Sequence, residues 1–230
     1  MLACLYDVHG NLPALEAVIA DARAQGADGF LLGGDYALYG GWPAETLARL
    51  REIEGAVWIR GNVDRWLTDP GDVPVAEVHG ALADCRAALG EEAVAWLHAL
   101  PERAELDDGT IAVHATPLSD MRFFAAQTSP DDDELLAGIR PPRLLFGHTH
   151  VAFRRVALGV ELVNPGSVGL PWDGDRRAAY ALIHPDGTLE HRRVEYDHAA
   201  ALDRLRAAFG DAPWMRTTAA RLEQARFDAA

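Results

Sequence analysis

Short apolar runs alternate with amphipathic stretches along this chain, and the rhythm predicts its elements. Residues 2–6 are apolar and stop at Asp7, the mark of a short buried strand. Asn11 then precedes Leu12, Leu15, Val18, Ile19 and Ala22, a helical face that Gly26 closes. Phe30-Leu31-Leu32 predicts a second strand ending at Asp35. Pro43 to Ile53 carries helical spacing through Leu47, Leu50 and Ile53, and Ala56-Val57-Trp58-Ile59 predicts a third strand ending at Gly61-Asn62. The first 62 residues therefore read βαβαβ, the pattern of a parallel sheet with crossover helices.

Helical spacing continues over roughly 74–89 and 91–99. Strands at 103–107 and 110–114 follow, joined by the turn signal Asp107-Asp108-Gly109. The acidic run Asp131-Asp132-Asp133-Glu134 suits the positive end of a short helix better than a metal site. Leu144-Leu145-Phe146 predicts another strand ending at His148. From 151 to 194 the pattern is β-rich, with breaks at Gly159, Pro165-Gly166 and Asp186-Gly187, and 197–227 is helical. The layout predicts one domain over 1–230, with a two-sheet core and helices outside. Its motif-bearing part is 1–194, and 195–230 is a helical segment that either caps the domain or forms an interface.

Composition narrows the partners. With 35 acidic and 21 basic residues the formal charge is -14, and every basic residue is Arg. Duplex DNA is bound mainly by neutralising its phosphates, so long nucleic acid is an unsuitable partner. A small phosphorylated ligand remains suitable, because bound cations reverse local charge. No run approaches the ~20 apolar residues of a membrane helix, and the N-terminus lacks the features of a signal peptide. The expectation is a cytoplasmic protein without a membrane partner; a homo-oligomer stays open. Cys4 and Cys85 are too few for a disulfide framework and read as small buried hydrophobes.

Against this background, five polar islands stand out: Asp7 and His9, Asp35, Asn62, His114, and His148 with His150. Each follows an apolar run and has glycine or proline close by. Ligands gathered at strand C-termini lie on the edge where α/β sheets place their sites. Carboxylate oxygen beside imidazole suits Mn²⁺, Fe or Zn²⁺ better than Ca²⁺ or Mg²⁺. Singly the islands are weak, since Gly-Asp and Gly-Asn also begin turns and His114 equally reads as a core histidine. Jointly they predict two adjacent metal sites. His98, His184, His191 and His198 fall in helical or late-strand contexts and read as non-ligands.

In this order, Asp-x-His, Gly-Asp, Gly-Asn-x-Asp, His and Gly-His-x-His, the series resembles the calcineurin-like metallophosphoesterase superfamily. The stretch Asn164-Pro165-Gly166-Ser167-Val168-Gly169 is similar to the small prokaryotic YfcE-type phosphodiesterases. The resemblance spans about residues 1–184. It implies an α/β fold, a four-layer α/β/β/α sandwich of two mixed sheets flanked by helices, with a two-metal centre in a surface cleft. By motif, Asp7, His9 and His150 would hold one metal, Asn62, His114 and His148 the other, and Asp35 would bridge them. The ions would be a divalent or mixed-valence pair, Mn²⁺ first, with Fe, Zn²⁺ or Ni²⁺ open. The implied activity is hydrolysis of small phosphorylated substrates, nucleotides among them, by attack of a metal-bridging hydroxide on phosphorus. A phosphodiesterase comes first. A phosphomonoesterase or protein phosphatase on the same site is the alternative, and a metal-free interaction scaffold of the same fold is a further one.

One position departs from the pattern. Many relatives carry Gly-Asn-His-Asp, whose histidine is taken to protonate the leaving oxygen, but here the position is Val63. General acid catalysis contributes roughly 10²–10⁴ in rate, so esters with acidic leaving groups are favoured. Asp64 loses that partner and is expected to pair with Arg60 or Arg65, or to orient another group near the metals. Asp35, Asn62, Asp64 and Asn11 form the expected catalytic set. Asn11 reads equally as a helix cap and as a phosphoryl contact. Arg65, Trp66 and Tyr39 are further candidates for substrate contact. Arg122, Arg176 and Arg177 lie in expected loops and could grip a phosphate. His79 is the nearest spare histidine to the missing acid, and Tyr36, Trp42 and Trp172 complete a set of aromatics near the islands, read first as loop packing.

Overall fold

A computed structural model describes residues 1–71, 73 and 75–229, so the start of the predicted helix at Pro74 lies outside the described residues. The first sheet comprises β1 (Leu2–Leu5), β2 (Gly29–Leu32), β3 (Val57–Trp58), β9 (Ala178–Ile183) and β10 (Leu189–Val194), in the order β10-β9-β1-β2-β3. In the second, β4 (Arg103–Glu105), β5 (Ile111–Val113), β6 (Arg143–Leu145), β7 (Phe153–Ala157) and β8 (Val160–Asn164) run in the order β4-β5-β6-β8-β7. Strands β1, β2 and β3 pair in parallel, as the βαβαβ reading requires, while β9 is antiparallel to β1. In the second sheet β5, β6 and β8 are parallel and both edges are antiparallel. Both sheets are therefore mixed, as predicted.

Period-two alternation assigns the strand residues to layers. Cys4, Tyr6, Leu31, Ala112, Leu145, Val163 and Ala181 meet between the sheets in one apolar cluster. Their neighbours Ala3, Leu5 and Leu32 face the opposite way, onto helices. Those helices include α1 (Leu12–Ala24), α2 (Pro43–Arg51), α3 (Asn62–Trp66), α4 (Ala76–Leu89) and α5 (Glu91–His98). Outside the second sheet, Leu144, Phe146 and Leu162 pack with Leu135 and Leu136 around α6 (Asp132–Leu135). The result is the α/β/β/α sandwich.

The tail forms α7 (His198–Phe209) and α8 (Pro213–Gln224), with Gly210 at φ 58° between them. Leu202, Leu205, Trp214, Met215 and Leu222 join the same cluster as Leu15 and Ile19 of α1, so residues 195–229 cap the first sheet's helical layer. The cysteines are free and buried, as expected. The acidic run at 131–134 is helical, and Asp132 within it is buried against Arg155, which donates to both carboxylate oxygens at 2.8 and 2.7 Å. No helix among the described residues is long and apolar enough to cross a membrane.

Candidate metal centre

All five islands follow strand C-termini, with Asn62 at the start of α3, and backbone hydrogen bonds tie several of them together. Asp7 N–H donates to the Gly34 carbonyl at 3.1 Å and His9 N–H to the Asp35 carbonyl at 2.9 Å. Gly147 N–H donates to the His114 carbonyl at 2.8 Å, which links β6 to β5 at the same edge. The Asn164–Gly169 stretch closes the arrangement. Ser167 Oγ donates to the Asp7 carbonyl at 2.7 Å, and Asn164 Nδ2 donates to the Gly147 carbonyl at 2.8 Å.

Turning so abruptly at a strand end strains the backbone. Asp7, His9, Asp35, His148 and His150 all adopt left-handed φ, at 55°, 47°, 58°, 65° and 57°. Such angles are uncommon for residues with a Cβ and cluster at functional sites. The adjacent glycines are steric requirements. A Cβ on Gly61 would lie 2.1 Å from Asp35 Oδ1, and one on Gly147 would lie 2.5 Å from Asp7 Oδ2.

The side chains converge with their acceptor atoms inward. His9, His114 and His150 each direct Nδ1 at a backbone carbonyl, of Leu38 at 3.0 Å, Gly33 at 2.9 Å and Leu170 at 2.6 Å. A carbonyl only accepts, so each Nδ1 carries a proton, and wherever the ring is neutral Nε2 turns a lone pair into the site. His9 Nε2 and His150 Nε2 consequently face one another at 3.1 Å, two lone pairs with no proton between them when both rings are neutral. Asp7 Oδ1 lies 3.6 Å from His150 Nε2 and is buried without a hydrogen-bond partner. Asn62 Oδ1 lies 2.9 Å from both His114 Nε2 and His148 Nδ1. Between the two groups, Asp35 Oδ2 is 3.8 Å from His9 Nε2 and 3.4 Å from His114 Nε2. Asp7, His9 and His150 can each present a ligand atom within 4.8 Å of the others, and so can Asp7, Asp35 and His114. Buried acceptors aimed at one another, with an orphaned carboxylate oxygen among them, fit a cation.

Protonation in the protein alone follows the same logic. Burial holds His148 down to about 4 and depresses His9 and His150. Burial also opposes charge on His114, but the carboxylates of Asp35 and Asp7 outweigh it and lift that ring to about 10. Burial would raise Asp35, yet His114 holds its carboxyl below the usual range, while burial pushes Asp7 well above it. A proton on His114 thus supplies, in the protein alone, positive charge facing Asp35 and Asp7.

Asp64 pairs with neither Arg60 nor Arg65. It is buried and accepts backbone N–H from Asp35 at 2.8 Å, Tyr36 at 3.2 Å and Gly61 at 2.9 Å. Burial, reinforced by the charge on Asp35, still pushes its carboxyl up to about 7. Arg60 instead donates to Glu102 at 2.5 Å, and Arg65 grips Asp120 with Nε at 2.7 Å and Nη2 at 3.0 Å. Asn11 caps α1 by accepting Ala14 N–H at 3.3 Å, and its amide donates to the Gly169 carbonyl at 2.9 Å. That geometry supports the capping reading over a phosphoryl contact. Arg122 pairs with Glu134 and Arg177 with Asp175, Arg176 is exposed, and His79 lies on an exposed face of α4. His98, His184, His191 and His198 bond to Thr68, Glu190, the Asn164 carbonyl and the Leu222 carbonyl, away from the cluster.

The cluster opens into a cleft of about 410 Å³ that includes His9, Asp35, Asn62, His148 and His150. Tyr39, Val63 and Trp66 line it. Phe123 and, from the tail, Arg221 and Phe227 also line it. No local signal in the sequence marks these three, because loops and the final helix bring them in from distant positions.

A family model described as the calcineurin-like phosphoesterase superfamily domain matches residues 1–188. An uncharacterised protein of Methanocaldococcus jannaschii is 27% identical over 226 residues, covering 89% of this chain and 91% of that one. The crystal structure of a metallophosphoesterase from Sphaerobacter thermophilus superposes with a TM-score of 0.81 at 28% identity, covering 97% of this chain and 99% of the other. YfcE, a phosphoesterase from E. coli, shares the fold with a TM-score of 0.51 at 20% identity, covering 84% of this chain and 99% of its own.

Proposed function

The chain belongs to the calcineurin-like phosphoesterase superfamily, and we propose that it is a dinuclear-metal-dependent phosphodiesterase acting on small phosphorylated molecules. The observation that carries this is Asp35 Oδ2 standing between two inward-facing ligand groups, 3.8 Å from His9 and 3.4 Å from His114. In this reading Asp7, His9 and His150 hold one ion, Asn62, His114 and His148 the other, and Asp35 contributes to both. Two ions so held would polarise the phosphoryl group and activate water for in-line displacement. Mn²⁺ is the ion we place first, since the set mixes carboxylate, amide and imidazole donors.

The chain's own groups do the rest by position. Asn62 adds an oxygen without adding charge. Asp64 anchors the backbone of Asp35, Tyr36 and Gly61, which keeps the central carboxylate at one orientation. Val63 lines the cleft beside Asn62 and has no proton to give a departing oxygen. A leaving group that departs as a stable anion needs none, so acidic alcohols are favoured. Arg221, the one guanidinium in the cleft lining among the described residues, donates to the Phe227 carbonyl at 2.8 Å and lies over the Phe227 ring at 4.3 Å.

The test is a steady-state screen of Mn²⁺-reconstituted protein against aryl and alkyl phosphodiesters and the matching monoesters, with Asp35→Asn as control. Higher kcat/KM on aryl diesters and none in the control support the reading. Equal rates across leaving-group pKa, or faster monoester turnover, would overturn it.

A further inference from the structure

We infer that the cleft beside the metal cluster is a binding site for a flat, uncharged ring carried on the ester group of the substrate. This rests on the phosphodiesterase reading and extends it from the reacting phosphorus to the group attached to it. Two walls of the cleft begin at candidate ligands. On one side the Phe123 ring lies 6.3 Å from His148 at 40°. On the other, Trp172 stacks on His150 at 3.7 Å and 20°, and Phe227 meets Trp172 edge-on at 4.8 Å and 60°. A phosphoryl group seated at the cluster would therefore project its ester substituent between rings.

Exposure supports a ligand in preference to packing alone. The large hydrophobic side chains left exposed include Val75 at 51%, Phe123 at 53% and Phe227 at 58%, and all three line this one cleft. Apolar surface gathered at the mouth of a polar site marks a place where something apolar is meant to be covered. Val63 and Trp66 continue the apolar lining down to Asn62. The occupant is a ring because the walls are themselves rings, which favour stacked or edge-on partners at 4.5–7 Å as a general rule. It carries no further anionic group because Arg221, the one guanidinium in the lining among the described residues, is already packed over the Phe227 ring at 4.3 Å. Phe227 follows α8, so the C-terminal segment would set specificity while the strand ends set chemistry.

The experiment separates this from turnover. Phenylphosphonate, hexylphosphonate and methylphosphonate carry the same head group and are not hydrolysed. Each is titrated into the Mn²⁺-loaded full chain by calorimetry, with tryptophan fluorescence as a second readout. Phenylphosphonate should bind about tenfold or more tightly than methylphosphonate, the difference expected from burying one ring. Phe123→Ala and Phe227→Ala should each lower phenylphosphonate affinity several-fold and leave methylphosphonate unchanged, while Phe123→Leu keeps apolar area without the ring and should lie between. Both side chains are more than half exposed, so these variants are expected to fold. Equal affinities for phenyl and methyl, a hexyl chain matching the ring, or a preference that survives the double alanine variant would each overturn the inference. Ring preference without turnover of any ester would sink the phosphodiesterase reading instead. Turnover without ring preference would sink only this one.

Discussion

The Asp64 carboxylate fixes Asp35 by holding its backbone N–H, not its carboxylate. Its Oδ2 accepts the Asp35 N–H at 2.8 Å, and Asp35 Oδ1 in turn accepts the N–H of Val63, the residue before Asp64, at 3.0 Å. The two carboxylates thus clamp the turn after β2 to the start of α3. With Val63 between Asn62 and Asp64, the Asp64 carboxylate is still fully engaged, because it accepts from the backbone of Asp35, Tyr36 and Gly61.

Asp64→Asn should accordingly weaken metal binding without removing any ligand. Loss of groups that orient ligands typically costs about 10–100-fold in affinity, and leaving a buried N–H poorly satisfied costs about 1–3 kcal/mol of stability. Calorimetric Mn²⁺ titration and thermal unfolding of the metal-free variant measure the two separately. Wild-type metal affinity in the variant would refute the clamp.

Val63→His should raise kcat/KM on alkyl esters more than on aryl esters, flattening the dependence on leaving-group pKa. The gain should stay below the roughly 10²–10⁴ available to a well-placed acid, because the Asp64 carboxylate is already engaged by three N–H groups. A rate series across phenols and alkanols reads the slope. A uniform change for all leaving groups would show that the histidine acts on binding.

What the sequence made legible follows from physical range. The islands could be read because apolar runs, glycines and ligands sit within a few residues of each other, and strand direction then forces convergence. Helix α3 leaves little trace in the sequence because five residues carry no periodicity, although Asp64 three positions beyond Gly61 is a capping signal. The Arg65–Asp120 pair spans 55 positions and the His150–Trp172 stack depends on the Ser167 turn, so neither leaves a local trace. The cleft walls were hidden for the same reason: Phe123 and Phe227 look like isolated surface residues until the fold brings them to one opening.

Metal removal should destabilise the protein and not merely inactivate it. His9 and His150 face one another through lone pairs, and Asp7 Oδ1 is buried with no partner. Chelation should therefore lower Tm, and added Mn²⁺ should raise it in a concentration-dependent way, as for any ligand bound only by the native state. His150→Ala should lose most of that Mn²⁺-dependent increase. An unchanged Tm across the titration would argue against the site.

Acid should weaken the metal-free fold through a group far from the centre. Arg192 donates to Asp21 with Nε at 2.8 Å and Nη2 at 3.1 Å, and the Tyr180 hydroxyl donates at 2.6 Å, tying α1 to β9 and β10. The Arg192 hydrogen bonds, helped by Tyr180, hold the Asp21 carboxyl below its ordinary range. A carboxyl whose folded pKa is depressed binds fewer protons in the native state than in the unfolded one. Its contribution is complete above the unfolded value, near about 3.9, and is lost as pH falls through the folded value. Asp21→Asn should therefore lower Tm at neutral pH and leave a shallower decline below about pH 4. Parallel Tm–pH curves for the two proteins, measured without metal so that ligand release plays no part, would show that the tie is not linked to folding.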